Sequence, residues 1–317
     1  MAAIALLDDY QNVALKMADW SGLQKAHKVV AFKERLPDVE AAAKALTDFE
    51  IIGVMRERTP FQRALFEKLP KLKLLVTTGK RNASIDLEAA KARKVMVCNT
   101  GGAGRATAEL TIGLMIAFAR HFREEFAAMR PGGGWQTTLG FDLEGKTLGL
   151  LGLGNLGARV GRIGAAMGMK PIAWSQNLTV EQARERGAER VEKDELFRRS
   201  DVVSVHLILS DRTRGLVGAR ELALMKPTAL LINSSRGPIV DEAALLAALR
   251  EKRIRGFGAD TYNVEPLPGD HPLRSEPRAL LTPHLGYVTE ETYRDFYAGM
   301  VQAIEAWLAG KPINVLA

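Results

Sequence analysis

The sequence predicts an α/β protein built from two doubly wound parallel sheets, and three observations carry that expectation. Short apolar runs alternate with helix-period segments from residue 2 to about residue 98. The alternation resumes at Lys146. Between the two series lie a long helical pattern and the breaker-rich loop PGGGW at 131–135. Strands alternating with helices are the signature of βαβ units, whose crossovers leave the strands parallel. A chain of 317 residues has room for one large or two medium domains with ample core.

In the first series, residues 2–7, 28–32, 50–55, 73–77 and 94–98 read as strands, because each is a short apolar run rather than a helix-period pattern. Residues 38–46 and 61–69 read as helices between them, and 86–93 as a shorter one. A long helix is expected over roughly 104–129, with Leu110, Leu114, Ile116, Ala117 and Phe118 among its apolar positions. In the second series TLGLLGLG, from Thr147, is a strand running into a glycine turn, and 155–168 is the helix that follows. Residues 171–175, 201–207, 229–235 and 255–260 continue the strands, with helices near 180–186, 194–199, 219–224 and 241–251. A last helix, about 290–309, follows a change of character at TPHLGYVT and is expected to return to the first half.

Composition narrows the classes of function. The chain is 47% hydrophobic and 26% charged, as ordinary globular proteins are. Its net charge of +7 suits anionic ligands, but the basic residues are dispersed and no run mixes them with aromatics, so nucleic acid is not the expected partner. The single cysteine, Cys98, excludes an intramolecular disulfide, fits a reducing cytoplasm, and reads as a buried strand residue at the end of KVMVC. No His/Cys cluster has metal-ligand spacing, so no metal is expected. MAAIALLDDY lacks a charged leader region and is cut by Asp8 and Asp9, and the apolar stretch 106–119 contains Glu109 and is too short for a bilayer. A cytoplasmic location without membrane association is expected.

The glycine turn is the first functional signal. Gly152, Gly154 and Gly157 form GxGxxG between a strand and a helix. In that context the first glycine permits the tight turn, the second admits a pyrophosphate to the backbone, and the third packs helix on strand. The helix N-terminus then offers unpaired N–H groups to phosphates. An NAD site normally carries an acidic residue about twenty positions on, at the end of the next strand. Here that strand ends WSQNLT, with Ser175, Gln176 and Asn177 in its place. The carboxylate that repels a 2′-phosphate is missing, and no arginine stands there to attract one, so NAD and NADP both remain open. Arg184 and Arg186 lie further along and read as solvent-facing helix residues.

The second signal is a triplet: Arg236 in INSSRGPIVDE, Glu265 in DTYNVEPLP and His284 in LTPHLGY. An arginine fork can take a carboxylate bidentately, or a carboxylate and a neighbouring ketone together. A carboxylate bonded to one imidazole nitrogen fixes the ring's tautomer and leaves the other nitrogen to deliver a proton. These are the parts needed to hold a 2-oxo acid and protonate its carbonyl. Arg236 and His284 each follow an apolar run, which places them at strand ends, where open α/β sheets bind ligands. A two-domain molecule with a cleft is expected.

The chain resembles the D-isomer-specific 2-hydroxyacid dehydrogenases, the family of glyoxylate/hydroxypyruvate reductases and phosphoglycerate dehydrogenase. The resemblance spans nearly the whole chain and rests on LGLLGLGNLG, SDVVSVHLILSDRTRGLV, MKPTALLINSSRGPIVDEAAL, GADTYNVEPLP and LTPHLGYVTEETY. Glu265 follows Arg236 by 29 positions and His284 follows Glu265 by 19, the spacing of that family. The resemblance implies a Rossmann cofactor domain over 101–287, inserted in a flavodoxin-like substrate domain made of 1–100 and 288–317. It further implies that Asp260 bonds the nicotinamide carboxamide, that Asn155 and Leu156 present amides to the pyrophosphate, and that Thr107, Ser175, Thr213 and the backbone around His206 and Ser234 lie on the cofactor. It implies a turn at Gly79 and Lys80 that serves the substrate carboxylate, and a homodimer formed through the cofactor domain.

Departures from the family pattern accompany the match. Ser175 replaces the usual acid, and Ile208 in HLILS stands where proline is frequent. TTGKRNASID is an unusual version of the substrate loop, which leaves Lys80 and Arg81 either on the substrate or merely exposed. The chain ends at Ala317 soon after its last helix, so the extra regulatory domain of some phosphoglycerate dehydrogenases is expected to be absent. The expected activity is hydride transfer between a nicotinamide cofactor and C2 of a small 2-oxo or D-2-hydroxy acid, glyoxylate- or hydroxypyruvate-like. Two alternatives stand beside it. Formate oxidation on the same fold goes with glutamine where Glu265 stands. A nicotinamide-sensing, corepressor-like scaffold would favour long unstructured tails, of which this chain shows none.

Overall fold

The computed structural model describes residues 1–102 and 105–317. The chain divides into two compact units, one of Met1–Ala103 with Val288–Ala317 and the other of Gly104–Tyr287.

The first unit opens with β1 (Ala3–Leu6), α1 (Ser21–Ala26), β2 (Lys28–Ala31), α2 (Val39–Leu46), β3 (Ile51–Val54), α3 (Arg63–Glu67), β4 (Leu74–Thr77), α4 (Leu87–Ala92) and β5 (Met96–Asn99). Its five strands are all parallel, in the order β2-β1-β3-β4-β5. That is the flavodoxin-like winding, in which the order reverses beside β1. β3 and β4 are buried along their whole length, as a sheet covered on both faces demands. Asp38 and Asp86 start α2 and α4 by accepting from the amides of Ala41 and Ala89.

The second unit comprises α5 (Arg105–Ala119), α6 (Phe122–Ala128), β6 (Thr147–Leu151), α7 (Asn155–Ala166), β7 (Lys170–Trp174), α8 (Val180–Glu185), β8 (Glu189–Arg190), α9 (Lys193–Arg199), β9 (Val202–Val205), α10 (Ala219–Leu224), β10 (Leu230–Asn233), α11 (Glu242–Arg250), β11 (Gly256–Ala259), α12 (Pro272–Ser275) and β12 (Ala279–Leu281). Its seven parallel strands run β12-β11-β10-β9-β6-β7-β8, a Rossmann winding extended by one strand. Two apolar cores cover its two faces. One gathers Phe197, Leu222, Leu245 and Ile254, and the other gathers Ile112, Met115, Leu148 and Val160. The winding reverses between β6 and β9, and the backbone there is pinned on both sides. The Gly152 amide donates to Trp174 O at the end of β7, and the His206 amide, at the end of β9, donates to Leu151 O.

The last helix, α13 (Glu290–Leu308), belongs to the first unit, where Tyr293, Phe296, Tyr297, Met300 and Ile304 are buried. Met300 lies so close to Gly53 that a Cβ there would meet its Sδ at 2.3 Å. The final residues then run back along β5: the Val97 amide donates to Ala317 O, and the Leu316 amide donates to Val97 O.

One expected element is corrected. The long helix over 104–129 is two helices, and residue 104 lies outside the described residues. α5 stops at Ala119, and His121 adopts the left-handed conformation (φ 50°) before α6 begins. The cause is the returning chain. The Phe141 amide takes the Ala119 carbonyl, and a Cβ on Gly140 would stand 2.6 Å from that oxygen, so the helix end is capped from outside. Among the described residues no helix is long and apolar enough to cross a membrane, and no group of His, Cys, Asp and Glu is placed to hold a metal. Cys98 is buried in β5, and burial pushes its thiol pKa up.

Candidate active site

The glycine turn has the form a dinucleotide requires. Gly152 sits at φ 102°, and a Cβ on it would come within 2.8 Å of the His206 carbonyl group. At Gly157 a Cβ would stand 2.1 Å from Gly152 O, so only glycine lets α7 close onto the turn. Around Gly154 there is open space, which is where a pyrophosphate must approach the backbone. Gly154 is the N-cap of α7, yet no side chain caps the helix and no acidic residue occupies its first turn. The amides of Asn155 and Leu156 thus start a twelve-residue helix with its positive end undefended. The residues present fit an anionic dinucleotide.

Ser175 follows directly on β7 and its carbonyl accepts from Leu178 in a short turn through Gln176 and Asn177. Arg186 differs from the expected solvent-facing helix residue. The residue is exposed, but its Nη1 donates to Leu153 O inside the glycine turn at 2.7 Å in a partly buried bond. His206 has its Nε2 on the Ser204 hydroxyl at 2.9 Å, while Nδ1 is buried without a partner among the described residues. Burial pushes its pKa down to about 3, so the ring is neutral. The Thr213 hydroxyl donates to Ile208 O at 2.7 Å and shapes its own loop, leaving Ile208 exposed.

The triplet residues follow the ends of three neighbouring strands, β10, β11 and β12. His284 Nδ1 and Glu265 Oε2 are 2.6 Å apart. The second oxygen of Glu265 accepts from the Tyr262 amide at 2.9 Å, so the carboxylate is fixed at both ends. His284 is held in a left-handed conformation (φ 53°) with its ring edge-on to Tyr287. Arg236 leaves β10 through Asn233, whose side chain donates to Arg236 O and accepts from the Ser235 amide. Gly237 then packs on the backbone of Tyr262, where a Cβ would stand only 2.1 Å from Tyr262 C. Backbone contact therefore links the arginine segment to the residue that anchors Glu265.

Asp260 explains how His284 is presented, a role that pattern reading missed. One of its oxygens accepts from the Thr282 hydroxyl and the Leu285 amide, at 2.6 and 2.7 Å. The other accepts from the Gly286 amide at 2.8 Å. Burial holds its carboxyl above the usual range even though these donors pull it down. Thr107 donates to Gly286 O at 2.7 Å, and the buried Ser234 hydroxyl bonds Thr111. Both ends of the segment carrying His284 are thus tied to side chains that were expected to lie on the cofactor.

Gly79 and Lys80 belong to the first unit. Gly79 has φ 81°, and its amide donates to the Thr100 hydroxyl. Lys80 and Arg81 are exposed. The organiser of this turn is Arg56, which the sequence reading did not single out. Its Nη1 donates to Thr78 O and Arg81 O, and a Cβ on Gly79 would overlap it at 1.8 Å. Nothing local in RERTP announces that role.

A Rossmann sheet with an open glycine turn at its winding reversal, and a carboxylate-anchored histidine following its edge strand β12, defines a nicotinamide-dependent oxidoreductase. The family model for the NAD binding domain of D-isomer specific 2-hydroxyacid dehydrogenases matches residues 112–286, and the chain belongs to that family. A glyoxylate reductase of Aeropyrum pernix is 39% identical to it, over 80% of this chain and 78% of that protein. A hydroxypyruvate reductase of Blautia hydrogenotrophica is 29% identical over 94% of each. The crystal structure of a phosphoglycerate oxidoreductase from Vibrio cholerae superposes with a TM-score of 0.93 at 35% identity, covering 98% of this chain and all of that one. The protein is a nicotinamide-dependent enzyme that moves hydride between its cofactor and a 2-hydroxy or 2-oxo acid.

Proposed function

We propose that the enzyme reduces the C2 ketone of a small 2-oxo acid of the glyoxylate or hydroxypyruvate kind, with Arg236, Glu265 and His284 as its catalytic residues. The observation that carries this is the 2.6 Å contact between His284 Nδ1 and a Glu265 carboxylate itself anchored by the Tyr262 amide. It leaves Nε2 as the nitrogen that gives a proton to the alkoxide in reduction and takes it back in oxidation. Arg236 binds the substrate carboxylate and polarises the ketone. The bound cofactor supplies the hydride. Asn155, Leu156 and the three glycines hold its pyrophosphate, and Ser175 its adenosine ribose. Asp260, Thr107, His206, Thr213 and Ser234 line the cofactor through the segments they order. The turn of Gly79 and Lys80 is the further substrate-binding element. Glyoxylate and hydroxypyruvate are favoured because they are the substrates named for two relatives of matching length.

A homodimer through the cofactor domain and a cytoplasmic location complete the reading. Exposed Phe126, Met129, Trp135 and Leu139, gathered in one stretch of the second unit, support self-association.

The test is absorbance of the reduced cofactor with glyoxylate, hydroxypyruvate and longer 2-oxo acids, using NADH and NADPH, for the wild type and His284→Ala. Turnover should be fastest with the short acids. H284A should bind cofactor normally and lose at least about a hundredfold in kcat, the scale of a general acid. Near-normal kcat in H284A sinks the assignment of the acid, and no turnover with any acid sinks the substrate class.

A further inference from the structure

The ribose end of the glycine turn carries a cation that family patterning does not place there. Arg186 lies eleven positions beyond Ser175, past α8. Its Nη1 nevertheless reaches Leu153 O at 2.7 Å. Leu153 follows Gly152, whose amide is bonded to Trp174 O, the residue just before Ser175. Arg186, the glycine turn and the end of β7 therefore share one locality. That end of β7 bears Ser175, Gln176 and Asn177, three neutral side chains in a row.

A guanidinium has five N–H donors. Leu153 O takes one, and among the described residues no carboxylate pairs with Arg186. The bond tethers the side chain of this exposed residue at the turn, and its other guanidinium N–H groups make no bond among the described residues. An arginine so placed is short of an anion. A carboxylate at position 175 would have answered that need and would also have excluded a phosphorylated ribose. Serine instead removes the repulsion and adds a hydroxyl that can donate. Charge-assisted bonds from guanidinium to phosphate are among the stronger polar contacts available at a surface.

We infer that Arg186, with Ser175, forms the site for the adenosine 2′-phosphate, so that the enzyme selects NADP(H) over NAD(H). This rests on the oxidoreductase reading above and names which dinucleotide that same site takes. Ser175 relieves the charge conflict, and Arg186 supplies the attraction from a different element.

Binding to the whole enzyme tests it without turnover. Calorimetry with 2′,5′-ADP and 5′-AMP, and fluorescence titration with NADPH and NADH, are run on the wild type and on Arg186→Gln. The wild type should prefer the 2′-phosphorylated member of each pair by about tenfold to a hundredfold, the range of one hydrogen bond to a charged group. That preference should shrink as salt is raised. R186Q should lose most of it through weaker NADPH binding. A wild type that binds NADH as tightly as NADPH overturns the inference and leaves the oxidoreductase reading intact. A preference that survives in R186Q overturns the role of Arg186. Equal loss of both dinucleotides in R186Q makes it a support of the glycine turn and overturns the assignment as well. Binding of neither dinucleotide by the wild type overturns the oxidoreductase reading and this inference with it.

Discussion

At the scale of single residues, the site depends on groups that are fixed before any ligand arrives. Glu265 spends one oxygen on the Tyr262 amide and the other on His284, so the imidazole is aimed without help from substrate. His206 illustrates the cost of such construction. It stands where β9 leaves the sheet, its Nδ1 buried and unpartnered, and its pKa is pushed down to about 3 from 6.5. The unfolded chain therefore takes up a proton below about pH 6.5 that the folded chain refuses, and stability falls as pH falls through that window. Between pH 7 and pH 5 this one group should remove up to about 2 kcal/mol. His206→Leu should lose less stability over the same interval. Urea midpoints of both proteins at the two pH values check it, and equal losses would show that the ring is not kept neutral by burial.

At the scale of elements, strands were legible as short apolar runs and most helices by their period, whereas the devices that hold the site were not. Each expected strand is present, most of them shortened at their ends, while β7 is shifted back by one residue and β5 runs one residue past its expected end. The short α1 and α12 and the two-residue β8 were missed because so few residues show no period. The false continuity of α5 and α6 has a related origin, since what ends α5 is a carbonyl captured by Phe141, more than twenty residues away in sequence. Arg236, Glu265 and His284 were legible as types at known spacing, but the clamp of Asp260 on residues 282–286 is a tertiary fact. Gly237 is the point at which element packing and chemistry meet. Its Cα hydrogen lies against the Tyr262 backbone, with no room for a methyl group. Gly237→Ala must therefore push β10's exit away from β11, moving Arg236 and the Tyr262–Glu265 bond together. A loss of about 1–3 kcal/mol is expected, the usual cost of overpacking. kcat should fall while NADPH binding at the distant glycine turn persists. Unchanged kcat in a folded G237A protein would contradict this linkage.

At the scale of the whole molecule, the first unit is made from both ends of the chain, which the sequence suggested through the helix that follows TPHLGYVT and through the family resemblance. Composition and periodicity can say that a helix exists near residue 290, but not which core it fills. The structure gives the physical answer in two contacts: Met300 occupies the space that the absent side chain of Gly53 leaves, and the last residues pair with β5. Tyr293 and the buried residues after it bring an apolar face that β3, β4 and β5 otherwise lack on that side. Burying one such large side chain is worth about 1.5–3 kcal/mol, so losing the whole helix exceeds the stability of an ordinary domain. A chain ending at residue 287 should therefore fail to fold its first unit, while the second, whose strands and two cores lie wholly within 104–287, keeps its structure. Hydrogen exchange on the truncated protein reads this directly. Amides of β3, β4 and β5 should exchange freely, and those of β6, β9 and β10 should remain protected. Protection retained in β4, at the centre of the contact with α13, would mean that the first unit's core is complete without the returning helix.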